Sequence, residues 1–167
     1  PAKDFAPVYE LALKEGYKAV AHAGEDVGPE SIWDSINYLH SQRIGHGITA
    51  IQDEKLMDYC VQQKLPFEVC ITSNTFTKKV VKLARFHPIR KFFDKGMLVT
   101  VNTDDPVFFM TTLLDEYWIC SKSLKFTKVH PMSGKNDYFI ISDSEFKHMC
   151  TDFFDSIWNT KSDAIID

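Results

Sequence analysis

The chain has 167 residues, 44% of them hydrophobic with 13 Phe, enough for one globular domain with a sizeable core. A formal charge of -4 and the lack of any Lys/Arg block exclude the basic footprint of a nucleic-acid or anionic-membrane binder. Apolar runs are only strand-sized and no charged-then-apolar leader opens the chain, so a cytoplasmic protein with no membrane or nucleic-acid partner is expected.

In chain order, residues 5–15 carry Phe5, Val8, Tyr9, Leu11 and Ala12 at helical spacing, and Gly16 breaks that helix ahead of a strand at 18–21 that runs into His22. Pro29 opens a second helix with Ile32, Trp33, Ile36 and Leu39 on one side, and a short strand at 43–45 delivers His46. Asp53 is placed to cap a third helix through Leu56, Met57, Cys60 and Val61, followed by a strand at 67–71. A helix at 88–95 ends at Gly96, and residues 97–101 form the most strand-like run of the chain. Helix returns beyond Asp115 through Trp118 and Ile119. Residues 127–143 read as an inserted loop and 144–167 as a C-terminal helical segment of the same domain, with 1–126 its main body. The four cysteines, Cys60, Cys70, Cys120 and Cys150, form no Cys-x-x-Cys pair and read as reduced, buried thiols.

Strands alternating with helices argue for a parallel α/β sheet, in which chemistry collects at the strand C-terminal ends. Three motifs stand at such ends: His22-Ala23-Gly24-Glu25, Arg43-Ile44-Gly45-His46-Gly47 and Asn102-Thr103-Asp104-Asp105-Pro106. Imidazole and carboxylate suit a borderline metal such as zinc, and spare His and Glu side chains move protons around an activated water. Gly24 allows a sharp turn that lets His22 and Glu25 face one pocket, and Gly45 and Gly47 suggest close backbone approach to a ligand or a tight strand exit around His46. Adjacent carboxylates at Asp104 and Asp105 repel unless a cation or a shared proton relieves them. Blander readings stand beside these: His22 satisfied by backbone hydrogen bonds, His46 a turn residue, and one Asp capping a helix after Pro106. His40, His87, His130 and His148 have no metal-binding neighbour in sequence and read as surface or structural residues. Spacing alone does not separate a doubly wound sheet from a barrel.

The order and spacing of the three motifs, with Phe67-Glu68-Val69-Cys70, Ser73-Asn74 and His87-Pro88-Ile89 between them, resemble the adenosine deaminase family of the amidohydrolase superfamily over roughly residues 5–126. The resemblance implies the C-terminal half, strands five to eight, of a metal-dependent (β/α)8 TIM barrel, with one Zn2+ per complete barrel. It makes His22 and Asp104 metal ligands. Glu25 would hand a proton to N1 of the purine, His46 would orient and deprotonate the attacking water, and Asp105, neutral and buried beside the anionic Asp104, would hydrogen-bond N7. The family's first strand normally carries a His-x-His pair, which nothing here matches. An N-terminal half-barrel, in the same polypeptide or in another one, is therefore an expected partner, and the isolated 167 residues are expected to be inactive. The implied reaction is hydrolytic deamination of adenosine or 2'-deoxyadenosine in purine salvage. Deamination of adenine or another aminopurine is the alternative, and a non-catalytic half-barrel that binds a partner or a purine is a second one. The chain departs from the family at Ile71-Thr72, at Thr75-Phe76-Thr77-Lys78-Lys79 and at the 127–143 insertion.

Overall fold

The computed structural model describes residues 1–126. The loop expected at 127–143, the helical segment expected at 144–167 and Cys150 lie outside the described residues. Four parallel strands, β1 (Val20–Ala23), β2 (Arg43–His46), β3 (Phe67–Val69) and β4 (Val99–Val101), lie side by side in chain order. Each neighbour follows its predecessor with no reversal of strand order, which is the order of an arc of a barrel.

Between the strands run α2 (Glu30–Leu39), α3 (Glu54–Gln63), a short α4 (Ile71–Thr77) and α5 (Ile89–Lys95). Ahead of β1 stands α1 (Ala6–Lys14), and after β4 come α6 (Pro106–Phe109) and α7 (Leu113–Leu124). Ile32 of α2, Leu56 and Cys60 of α3, Ile89 and Phe92 of α5 and Cys120 and Leu124 of α7 close over Ile44, Phe67 and Val69 of the sheet in one core. At about 25 cal/mol per Å2 of apolar surface, each such buried side chain contributes roughly 1.5–3 kcal/mol. The register fixes which residues share a row: Ala21, Ile44, Phe67 and Val99 are paired partners, and His22, Gly45, Glu68 and Thr100 form the next row. Because side chains alternate along a strand, the apolar row goes to the helices and the polar row to the opposite face.

Local chemistry accounts for most element ends. Asp53 accepts from the N–H groups of Lys55 and Leu56 and caps α3 as expected, while its second oxygen takes the Trp33 indole N–H at 2.9 Å. Those bonds hold the Asp53 carboxyl below its usual range, the Trp33 bond foremost. Gly96 ends α5 in the left-handed region at φ +87°. The strands differ in extent from the sequence expectation. The first is shifted from 18–21 to Val20–Ala23, because its ladder to β2 begins only at Val20–Arg43, so His22 lies inside the strand. The third stops at Val69, its last pair with β4, and α4 starts at Ile71 where strand was expected. That helix begins there because the buried Glu116 of α7 accepts its Thr72 N–H at 3.1 Å, together with the Thr111 hydroxyl at 2.8 Å. Cys60, Cys70 and Cys120 are buried free thiols, as expected, and burial pushes each up to about 12, which leaves them unreactive. Among the described residues no helix is long and apolar enough to cross a membrane.

Candidate active site

The site is assembled at the C-terminal ends of the four strands, and glycine geometry shapes it. His22 pairs with Gly45 across the β1–β2 ladder. A Cβ at position 45 would stand 3.1 Å from Cγ and Nδ1 of His22, so the missing side chain is the room the imidazole occupies. After Ala23 the chain turns at Gly24, φ +64°, where a Cβ would fall 2.4 Å from Ile32 Cδ1. That turn sets the Glu25 carboxylate Oε2 3.4 Å from His46 Nε2. Gly47, at φ +67°, sends the chain away from β2 into a 3-10 turn over Ile48–Gln52. Of the two sequence readings for this glycine pair, Gly47 makes the tight strand exit, whereas Gly45 gives room to the His22 ring.

His46 is only 2% exposed and sits at φ +63°, and Asp104, just after β4, sits at φ +59°. Two non-glycine residues in the left-handed region at strand ends are strained positions of the kind that the surrounding structure must hold. For Asp104 that support includes Ser73, whose hydroxyl donates to Oδ2 at 2.7 Å. One donor atom each from His22, His46 and Asp104 all lie within 4.8 Å of one another, and the His22 and His46 rings are 4.9 Å apart at 54°. They border an open cavity of about 460 Å3 also lined by Glu68 and Asn102.

The donor chemistry fits a divalent borderline metal. The His22 imidazole and the Asp104 carboxylate converge beside His46, the His22 ring makes no hydrogen bond among the described residues, and the Asp104 carboxylate is oriented through one oxygen only. His46 differs from His22, since its Nδ1 is bonded to the Asn74 side-chain amide at 3.1 Å and its Nε2 faces Glu25. Burial lowers the His46 pKa below the ordinary imidazole range, and the charges of Glu25 and Asp104 pull it the other way.

The structure thus gathers His22, Glu25, His46 and Asp104 into one cluster. Asp105 stands at its edge. One of its oxygens, Oδ1, accepts from the Phe108 N–H at 3.2 Å and caps α6, the helix-cap role that the sequence left open, and its side chain is exposed where burial was expected. Sequence reasoning gives no role in the site to three residues that build it, although Asn74 and His87 lie in segments that carry the family resemblance. His87, which reads in sequence as surface or structural, is 3% exposed and therefore not a surface residue, and its Nε2 meets Asn74 Oδ1 at 3.2 Å. Burial pushes that imidazole down to about 3, so it is neutral. Asn74 joins it to His46. Glu116, 0% exposed, reads in sequence as an ordinary first-turn acid of α7, and no local signal marks it as buried.

Residues 1–132 match the family model described as adenosine deaminase. The chain is 42% identical over 124 residues to the aminodeoxyfutalosine deaminase of Streptomyces avermitilis, covering 74% of this chain and 34% of that one. It is 41% identical over 121 residues to the adenosine deaminase of Salmonella newport, covering 72% and 36%. The crystal structure of adenine deaminase from Arthrobacter aurescens superposes with a TM-score of 0.73 at 32% identity, over 75% of this chain and 38% of that one. The chain therefore spans about a third of the length of the curated relatives it matches, and its sheet is a partial barrel.

Proposed function

The chain belongs to the adenosine deaminase family of the amidohydrolase superfamily, and from that premise we propose that it carries the acid/base half of a metal-dependent purine deaminase, which hydrolyses adenosine or 2'-deoxyadenosine to the inosine product and ammonia. The observation that carries this reading is the convergence of His22, His46 and Asp104 within 4.8 Å, with Glu25 against His46. In that reading His22 and Asp104 hold one Zn2+, completed by ligands outside this chain's described residues. When bound, the metal supplies a water acidified toward neutral pH.

The residues on this chain do the rest. Attack at C6 of the purine forms a C6–O bond and breaks ring aromaticity, which becomes feasible as N1 takes a proton. Glu25 delivers that proton. His46 orients the attacking water. The remaining hydroxyl proton passes to N6, the C6–N6 bond breaks as the C6 carbonyl forms, and ammonia leaves. Asp105 Oδ1 is committed to Phe108 N–H, so Oδ2 is the oxygen left to face N7.

A second reading, deamination of adenine or another aminopurine, is favoured by one finding: relatives named for three different substrates match this chain at 32–42% identity. The residues of the strand ends handle the purine ring common to all three. The test is ammonia release from adenosine, 2'-deoxyadenosine and adenine, side by side, by the full-length polypeptide supplemented with zinc. Release from one of them supports the deaminase reading and names its branch; no release from any aminopurine overturns it.

A further inference from the structure

A four-membered hydrogen-bond chain runs from the start of α5 to the candidate site, and its direction is determined at one end. The backbone N–H of Ile89 donates to His87 Nδ1 at 3.2 Å. A backbone N–H only donates, so Nδ1 of His87 is the bare nitrogen. His87 is neutral because it is buried, so its single ring proton sits on Nε2. From there it is donated to Asn74 Oδ1 at 3.2 Å. With its oxygen used as acceptor, the Asn74 amide presents its NH2 group to His46 Nδ1 at 3.1 Å. All three side chains are buried, at 1–3% exposure, so no solvent competes for these bonds.

We infer that Asn74 and His87 are positioning residues that hold His46 as the Nε2–H tautomer, so that His46 presents a hydrogen-bond donor, not a base, to the reacting centre. His46 Nε2 already carries its proton and cannot take one from the attacking water. The carboxylate that faces His46 Nε2 is that of Glu25, at 3.4 Å, and the Asp104 carboxylate is given to the metal in the proposed reading, so Glu25 is the acceptor. One proton then moves from the water to Glu25 and from Glu25 to N1, while the water oxygen bonds to C6. His46 donates its N–H to keep Glu25 and the water in place. The role of His46 changes from the proton acceptor that family resemblance implied to an orienting donor.

The tautomer is independent of whether the protein deaminates a purine; only the kinetic part of the test rests on that reading. The probe is full-length protein carrying 15N-labelled histidine, with ring nitrogens assigned by their long-range couplings to the ring protons. Wild-type His46 is expected to show a protonated Nε2 and a bare Nδ1. Asn74→Asp replaces the amide donor by an acceptor of the same shape and is expected to move the His46 proton to Nδ1. In the same variant kcat is expected to fall by at least about a hundredfold with KM within a few-fold, as for other acid/base groups put in the wrong tautomer. A wild-type His46 bearing its proton on Nδ1 overturns the inference without recourse to any variant, as does a tautomer unmoved by Asn74→Asp in folded protein. Lack of purine turnover by wild type, with the Nε2–H tautomer observed, overturns the deaminase reading and leaves the assignment standing.

Discussion

Ser73 of α4 donates its hydroxyl proton to Asp104 Oδ2 at 2.7 Å, tying the segment after β3 to the carboxylate after β4. Ser73 is itself 1% exposed, and its helix is started by the Glu116 carboxylate rather than by any cap of its own. Asp104 is thus aimed by a buried neighbour while its backbone is held at φ +59°. A carboxylate so restrained has less freedom to lose on binding a cation.

Ser73→Ala removes the bond that orients the Asp104 carboxylate and leaves the carboxylate in place. Metal affinity of the full-length protein is expected to drop by about 10–100-fold, the usual effect of losing an outer hydrogen bond to a ligand. Competition with a chromophoric chelator measures it, and an unchanged dissociation constant would remove Ser73 from the site.

Glu25→Gln keeps the shape of the side chain and removes its proton chemistry. Turnover is expected to fall by about 10²–10⁴-fold or more. Zinc content, read by atomic emission on the same preparation, is expected to stay at the wild-type value, because Glu25 is not among the clustered donor atoms. Normal turnover would end the proton-delivery assignment, and loss of metal would make Glu25 a ligand.

Gly45→Ala and Gly47→Ala should separate site from fold. At position 45 the backbone is unstrained, and the new methyl presses on the His22 ring from 3.1 Å, so metal binding weakens while the urea midpoint shifts by less than about 1 kcal/mol equivalent. At position 47 the methyl would lie 2.3 Å from the buried Phe67 ring at φ +67°, and a loss of about 2 kcal/mol or more is expected. Equal effects of the two substitutions on stability would contradict this division.

Folded His87 titrates near 3, whereas the unfolded chain takes up that proton at about its ordinary value of 6.5. Below pH 6.5 the unfolded state binds more protons, so stability is full above that pH and declines as pH falls toward 3. The slope from this one group approaches about 1.4 kcal/mol per pH unit, which amounts to about 2 kcal/mol between pH 7 and 5. His46, also lowered, adds in the same direction. Unfolding in urea at pH 7 and pH 5 measures the loss, and His87→Gln should lessen it. A wild-type midpoint that does not move over this range would mean that His87 is not held neutral.

What the sequence by itself determined was the local layer of this protein: alternating strands and helices, the Asp53 cap, the Gly24 turn, and three motifs at strand ends whose residue types suit a hydrolytic metal site. These features are legible because periodicity, capping and backbone freedom act within a few residues. Only the tertiary structure decided the order of the four strands, the early end of β3, and which polar side chains are buried. Burial is a property of what packs against a residue from elsewhere in the chain. His87 stands 41 positions beyond His46 and Glu116 stands 44 beyond Thr72, so nothing in their own neighbourhoods announces the contacts. The hydrogen-bond chain through Asn74 has the same origin: each member is an ordinary residue in its own segment, and becomes directional only where the ends of β2 and β3 and the start of α5 exclude water together.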